Sequence, residues 1–147
     1  HAVDSIAEIP YGKGYQYAGD KWMDVISLLD SCKEAGFMVG LIAHSRIEKF
    51  ESPETDNYDR YTLALHKIAN AIICEWADEI FWAGYKVHTR ESDEGFGRST
   101  TKAISSGERI IRTVEKPFCV AKNRCGLPDE MPLSFQSYID GIKACQS

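Results

Sequence analysis

The chain has 147 residues, of which 44% are hydrophobic and 27% charged. That composition suits one globular domain spanning residues 1–147, burying roughly two-thirds of its unfolded surface, and excludes a disordered or collagen-like chain. The net charge of −5 argues against bulk attraction of the whole molecule to nucleic acid or anionic lipid.

The charge is unevenly spread. Residues 98–124 carry seven basic side chains (Arg98, Lys102, Arg109, Arg112, Lys116, Lys122, Arg124) against Glu108 and Glu115, so a basic segment sits on an acidic chain. The five cysteines (Cys32, Cys74, Cys119, Cys125, Cys145) are odd in number and contain no CxxC pair. Neither a disulfide framework nor a zinc ribbon is expected, and a reduced, cytosolic setting fits best. The chain starts at His1 with no basic segment followed by an apolar one. A tag remnant or an internal fragment is the expected origin of that start.

In chain order, residues 15–35 place Ala18, Trp22, Val25, Ile26, Leu29 and Cys32 at three- and four-residue steps, the stripe of a core-facing helix, with Gly36 as its stop. The apolar run Met38-Val-Gly-Leu-Ile-Ala43 predicts a strand buried on both faces of a parallel sheet. It is far shorter than the roughly 18–20 residues of a membrane helix. Residues 45–56 are polar and contain Pro53, which predicts a loop. Residues 59–77 predict a second helix through Tyr61, Leu65, Ile68, Ile72 and Trp76.

Residues 79–87 are aromatic and β-rich, the pattern of a strand. Residues 90–106 predict a mobile hairpin or loop, residues 108–114 and 118–121 two short strands, and residues 134–144 a closing helix. Alternating helix and strand define an α/β chain with a mostly parallel sheet and a C-terminal antiparallel extension.

Four segments are candidates for chemistry. Tyr11-Gly-Lys-Gly-Tyr15 has the look of a phosphate loop, but no glycine precedes Gly12 and Gly14 stands where Ser or Thr would follow the lysine. A turn leading into a helix accounts for it. His44 and Ser45 follow the predicted buried strand, at the place where ligands bind in open α/β sheets. His44 is either a functional group there or a structural histidine. Ser45 lacks the G-x-S-x-G setting of a hydrolase nucleophile, and the spacing of His66, Cys74 and His88 gives no metal motif. Finally, Lys122 and Arg124 share one side of a strand that continues through them, with Gly126 and Pro128 ending it. They form either a phosphate-reading fork or a pair of solvated cations.

Taken together, these segments resemble a family, the phage-encoded RecA-like P-loop ATPases, nucleotide-binding proteins of recombination modules that include single-strand annealing proteins. The resemblance is carried by Ser5-Ile-Ala-Glu-Ile-Pro-Tyr-Gly-Lys-Gly-Tyr15, Leu41-Ile-Ala-His-Ser-Arg-Ile-Glu-Lys-Phe50, Tyr58-Asp-Arg-Tyr61 with Leu65-His-Lys67, Glu75-Trp-Ala-Asp78, Gly107-Glu-Arg109 and Ala121-Lys-Asn-Arg-Cys-Gly-Leu-Pro128. In that family the Walker A loop and Walker B aspartate precede the segment matching Ser5, so the chain looks like the C-terminal portion of a RecA-like core.

The resemblance implies ATP and Mg in the complete protein, single-stranded DNA and further copies of the chain as partners, and the cytoplasm of a bacterial host as location. It implies that His44 senses the γ-phosphate, and that Lys122 and Arg124 form a finger inserted into a neighbouring subunit's nucleotide site. Arg98 and Lys102 lie in a region that faces DNA under this reading, although no residue match places them there. Two other readings stay open: a stand-alone nucleic-acid-binding or oligomerisation module without hydrolysis, and an unrelated α/β hydrolase using His44.

Overall fold

A computed structural model describes residues 9–93 and 99–145. The chain divides into two compact units, residues 1–49 with 61–77 and residues 50–60 with 78–147.

In the first unit a single 3-10 turn, Pro10–Gly12, leads into α1, Lys13–Glu34. The helix ends as its glycine requires. Gly36 takes φ +87°, its N–H reaches Lys33 O at 2.9 Å, and the Phe37 N–H reaches Cys32 O at 3.0 Å, so two carbonyls of the last turn are satisfied. α2, Lys67–Trp76, is capped by His66, whose Nδ1 accepts from the Ile68 N–H. Ile26 of α1 and Ala69 and Ile73 of α2 are buried. Gly19 lets Ile68 approach closely, since a Cβ at that position would stand 3.1 Å from Ile68 Cγ2. The Trp76 indole N–H donates to Asp30 Oδ1 at 2.8 Å.

Residues 38–43 depart from expectation. They form no strand; Met38 and Ile42 are 68% and 104% exposed. A strand buried on both faces needs a neighbour on each edge, and the pairings of residues 79–80 with 122–123, 82–93 with 99–112 and 110–112 with 130–132 all run antiparallel. A mostly parallel RecA-like sheet is therefore absent among the described residues, which are mixed α/β with three α-helices and small sheets.

The predicted loop at 45–56 begins as a strand, β1, Ser45–Phe50, which pairs with β2, Tyr58–Leu63. The connection of seven residues, 51–57, is too short for a parallel crossover, so the pair is a hairpin. It takes up the first part of the predicted 59–77 helix, because Tyr58, Tyr61 and Thr62 favour extended backbone and α2 starts only after its cap at His66.

In the second unit β3, Glu79–Ile80, pairs antiparallel with β6, Lys122–Asn123, in the register Glu79 to Asn123 and Ile80 to Lys122. A three-stranded sheet, order β4-β5-β7, joins β4, Trp82–Asp93, β5, Ser99–Arg112, and β7, Glu130–Pro132. β4 and β5 pair antiparallel from Trp82 opposite Arg112 to Asp93 opposite Ser99, with a bulge where Gly107 takes φ +77°. Antiparallel pairing is thus present in the C-terminal part, but of the two short strands expected at 108–114 and 118–121 the first falls at the end of β5, whereas residues 118–121 form no strand and Cys119 makes an isolated antiparallel bridge to Lys116. α3, Phe135–Cys145, starts where the Ser134 hydroxyl accepts from the Ser137 N–H. Ile111, Leu127 and Met131 form the core beneath it, with Phe81, Tyr138 and Ile142 packed around them.

Candidate functional site

The most organised polar cluster surrounds β6. Asn123 points inward: its Nδ2 donates to Leu127 O at 2.7 Å and to Thr113 Oγ1 at 3.3 Å, while its Oδ1 accepts from the Leu127 N–H at 2.9 Å. Thr113 is fully buried, and its hydroxyl donates to Pro128 O at 2.7 Å. These bonds close the loop after β6 into a fixed turn, in which Gly126 takes φ +75°. The Cys145 thiol at the end of α3 donates to Gly126 O at 2.9 Å.

Arg124 stands on this loop, 57% exposed, with Nη1 donating to Asp78 Oδ1 at 3.2 Å. Lys122 lies on β6, half-buried. The strand ends at Asn123, so the expected continuation through Arg124, which would have put both cations on one strand face, does not occur. The physical reason is the Asn123 side chain, which binds the backbone four residues on and turns the chain there.

Below the loop, Glu79 accepts from the Tyr138 hydroxyl at 2.9 Å. Burial, followed by this bond to Glu79, pushes the Tyr138 phenol up to about 12. The Cys125 thiol is pushed up by its hydrogen bond to Glu79, by burial and by the charges of Glu79 and Asp78. Cys119, with no exposed surface, is pushed up chiefly by burial.

The remaining predicted residues fall elsewhere. His44 belongs to the first unit, is exposed, and precedes β1 instead of ending a buried strand; its carbonyl accepts from the Ala64 N–H at 2.8 Å. Lys102 lies on β5 opposite Arg90. Arg98 lies outside the described residues. Sequence reading gave no role to Asn123 and Asp78, which lie within segments that carry the resemblance, and missed Thr113 and Glu79. Only Asn123 left a signal, an asparagine just ahead of a Gly and Pro turn.

The AAA domain family model matches residues 1–125, and the chain belongs to that family. Comparison with curated proteins and with solved structures finds no match. Family membership makes this a nucleotide-binding, ATPase-related protein and removes the unrelated hydrolase from consideration; complete members use ATP and Mg. The described residues do not by themselves fit that group. The Gly12-Lys13 pair sits at the junction of the 3-10 turn and α1, where the Lys13 N–H is already bonded to Pro10 O. No three His, Cys, Asp or Glu side chains among the described residues come together to hold a metal. Nor is any helix among them long and apolar enough to cross a membrane.

Proposed function

We propose that this chain is the C-terminal portion of a phage-type RecA-like ATPase that acts on single-stranded DNA in recombination in the cytoplasm of a bacterial host, and that it does not turn over ATP by itself. The observation that carries this reading is the AAA domain match over residues 1–125 in a chain with no phosphate loop. The exposed apolar residues Phe37, Met38, Leu41 and Ile42 support it, since a run of this composition is stable as a strand only when a neighbouring layer covers it.

In the assembled oligomer the nucleotide is held by a phosphate loop outside these residues, His44 responds to its γ-phosphate, and Arg124 with Lys122 supplies positive charge from an adjacent subunit. Asp78 holds the Arg124 guanidinium in place until a phosphate competes for it. Arg98 and Lys102, in the segment of net positive charge, contact the DNA backbone.

Phosphate release by the purified chain in Mg-ATP tests the first part. The expected result is no turnover, because a phosphate loop and a metal-binding carboxylate supply most of the positioning in phosphoryl transfer. Turnover approaching about 1–100 per second, the range of kinases, overturns it.

A further inference from the structure

Tyr11-Gly-Lys-Gly-Tyr15, which the ATPase reading leaves without a role, meets the start of α2 in the first unit. The rings of Tyr15 and His66 stack with centroids 4.6 Å apart and planes within 8° of parallel. Both residues remain exposed, Tyr15 at 38%. Tyr11 is 96% exposed and held at φ 60°, so its ring stands in solvent with almost no surface covered. Lys13 and Lys67, the first residues of α1 and α2, are exposed as well, and neither helix has an acidic residue in its first turn. In a chain of net charge −5, residues 9–19 and 61–74 contain no carboxylate at all.

Accessible aromatic rings beside cations in a carboxylate-free patch fit one chemistry in particular. Base stacking needs a π-face and tolerates any base, while phosphates need positive charge along the path of the backbone. A duplex hides its base faces, so a single strand is the form that can use the rings. We propose that this surface is a stacking platform for single-stranded DNA, with bases lying on Tyr11 and on the Tyr15–His66 pair and with Lys13 and Lys67 holding the intervening phosphates. The proposal rests on the single-strand reading above and adds a second contact surface to Arg98 and Lys102. Two aromatic stations served by two lysines suit consecutive nucleotides of a strand better than one free nucleotide, which would offer a single base.

The test is fluorescence anisotropy of a labelled oligothymidylate at several salt concentrations. Tyr11→Ala weakens binding about tenfold, within the range for loss of one stacked base, and Tyr11→Phe restores it. An abasic oligonucleotide of the same length binds the unmodified chain no better than oligothymidylate binds Tyr11→Ala. Changing Lys13 and Lys67 together to Ala reduces the slope of log affinity against log salt by about 1.4, the value for two phosphate contacts on a single strand.

If the unmodified chain binds no oligonucleotide, the single-strand reading and the platform both fail. If it binds, and Arg98→Ala with Lys102→Ala abolishes binding while the Tyr11 and lysine variants match the unmodified chain, the platform alone fails. Displacement of the oligonucleotide from this surface by equimolar ATP assigns the rings to a free nucleotide and likewise overturns it.

Discussion

Asn123 uses both ends of its amide on the chain that follows it. Replacing it with Asp keeps the acceptor for the Leu127 N–H but sets a carboxylate against Leu127 O and Thr113 Oγ1, which now receive donors. Buried acceptors left unpaired cost about 1–3 kcal/mol. Asn123→Asp is therefore expected to lower the urea midpoint at neutral pH, and a midpoint equal to that of the unmodified chain would show that the loop does not depend on this clamp. Tyr138 gives a pH signature. Its phenol moves from 10.0 to about 12 in the fold because burial and the Glu79 carboxylate favour the neutral form. The resulting stability is fully present below pH 10 and is lost as pH rises toward 12. The unmodified chain should lose stability more steeply than Tyr138→Phe across that window in urea titrations. Parallel decline of the two would mean that the phenol is not shifted.

At the level of elements, periodicity decided what could be read. α1 follows its apolar steps and α3 lies within one residue of its expected bounds, whereas the one strand expected at 79–87 is two, β3 at Glu79–Ile80 and β4 from Trp82 to Asp93, which join different sheets. Residues 59–77 misled because the apolar positions of β2 continue in phase with those of α2, and the break between them rests on the His66 cap, a residue that sequence statistics do not favour as a cap. Residues 38–43 misled for a different reason. An apolar run has the same composition whether its cover comes from its own chain or from elsewhere. The long β4–β5 pairing was hidden by the polar character of residues 90–106, where alternation is weak. The α1–α2 packing gives a quantitative check. Ile73→Ala removes a side chain only 7% exposed and should cost about 2–5 kcal/mol, whereas Leu28→Ala on the 66% exposed face of α1 should fall within about 0.5 kcal/mol of the unmodified chain. Equal losses in thermal unfolding would put the helix interface elsewhere.

For the whole molecule the candidate site was legible only in part, because sequence adjacency shows which cations are near one another but not what holds them. Lys122 and Arg124 could be found by eye, whereas the Asp78 partner of Arg124 lies 46 residues away and emerges only when β3 pairs with β6. That pairing sets up the strongest test of the proposed function. An arginine that reaches a transferring phosphate from a neighbouring subunit is typically worth about 10³–10⁵ in rate. In the complete ATPase, Arg124→Ala is therefore expected to lose turnover by about that factor while ATP binding at the phosphate loop stays close to normal. Asp78→Asn should retain far more activity, since it removes the resting partner and not the finger. Mixing Arg124→Ala subunits with subunits disabled at the phosphate-loop lysine separates action in trans from action in cis. Only across an interface can an intact phosphate loop on one subunit receive an intact arginine from another, so partial recovery of turnover in the mixture is the expected outcome. If Arg124→Ala turns over ATP as fast as the unmodified enzyme, Arg124 is an ordinary surface cation paired with Asp78.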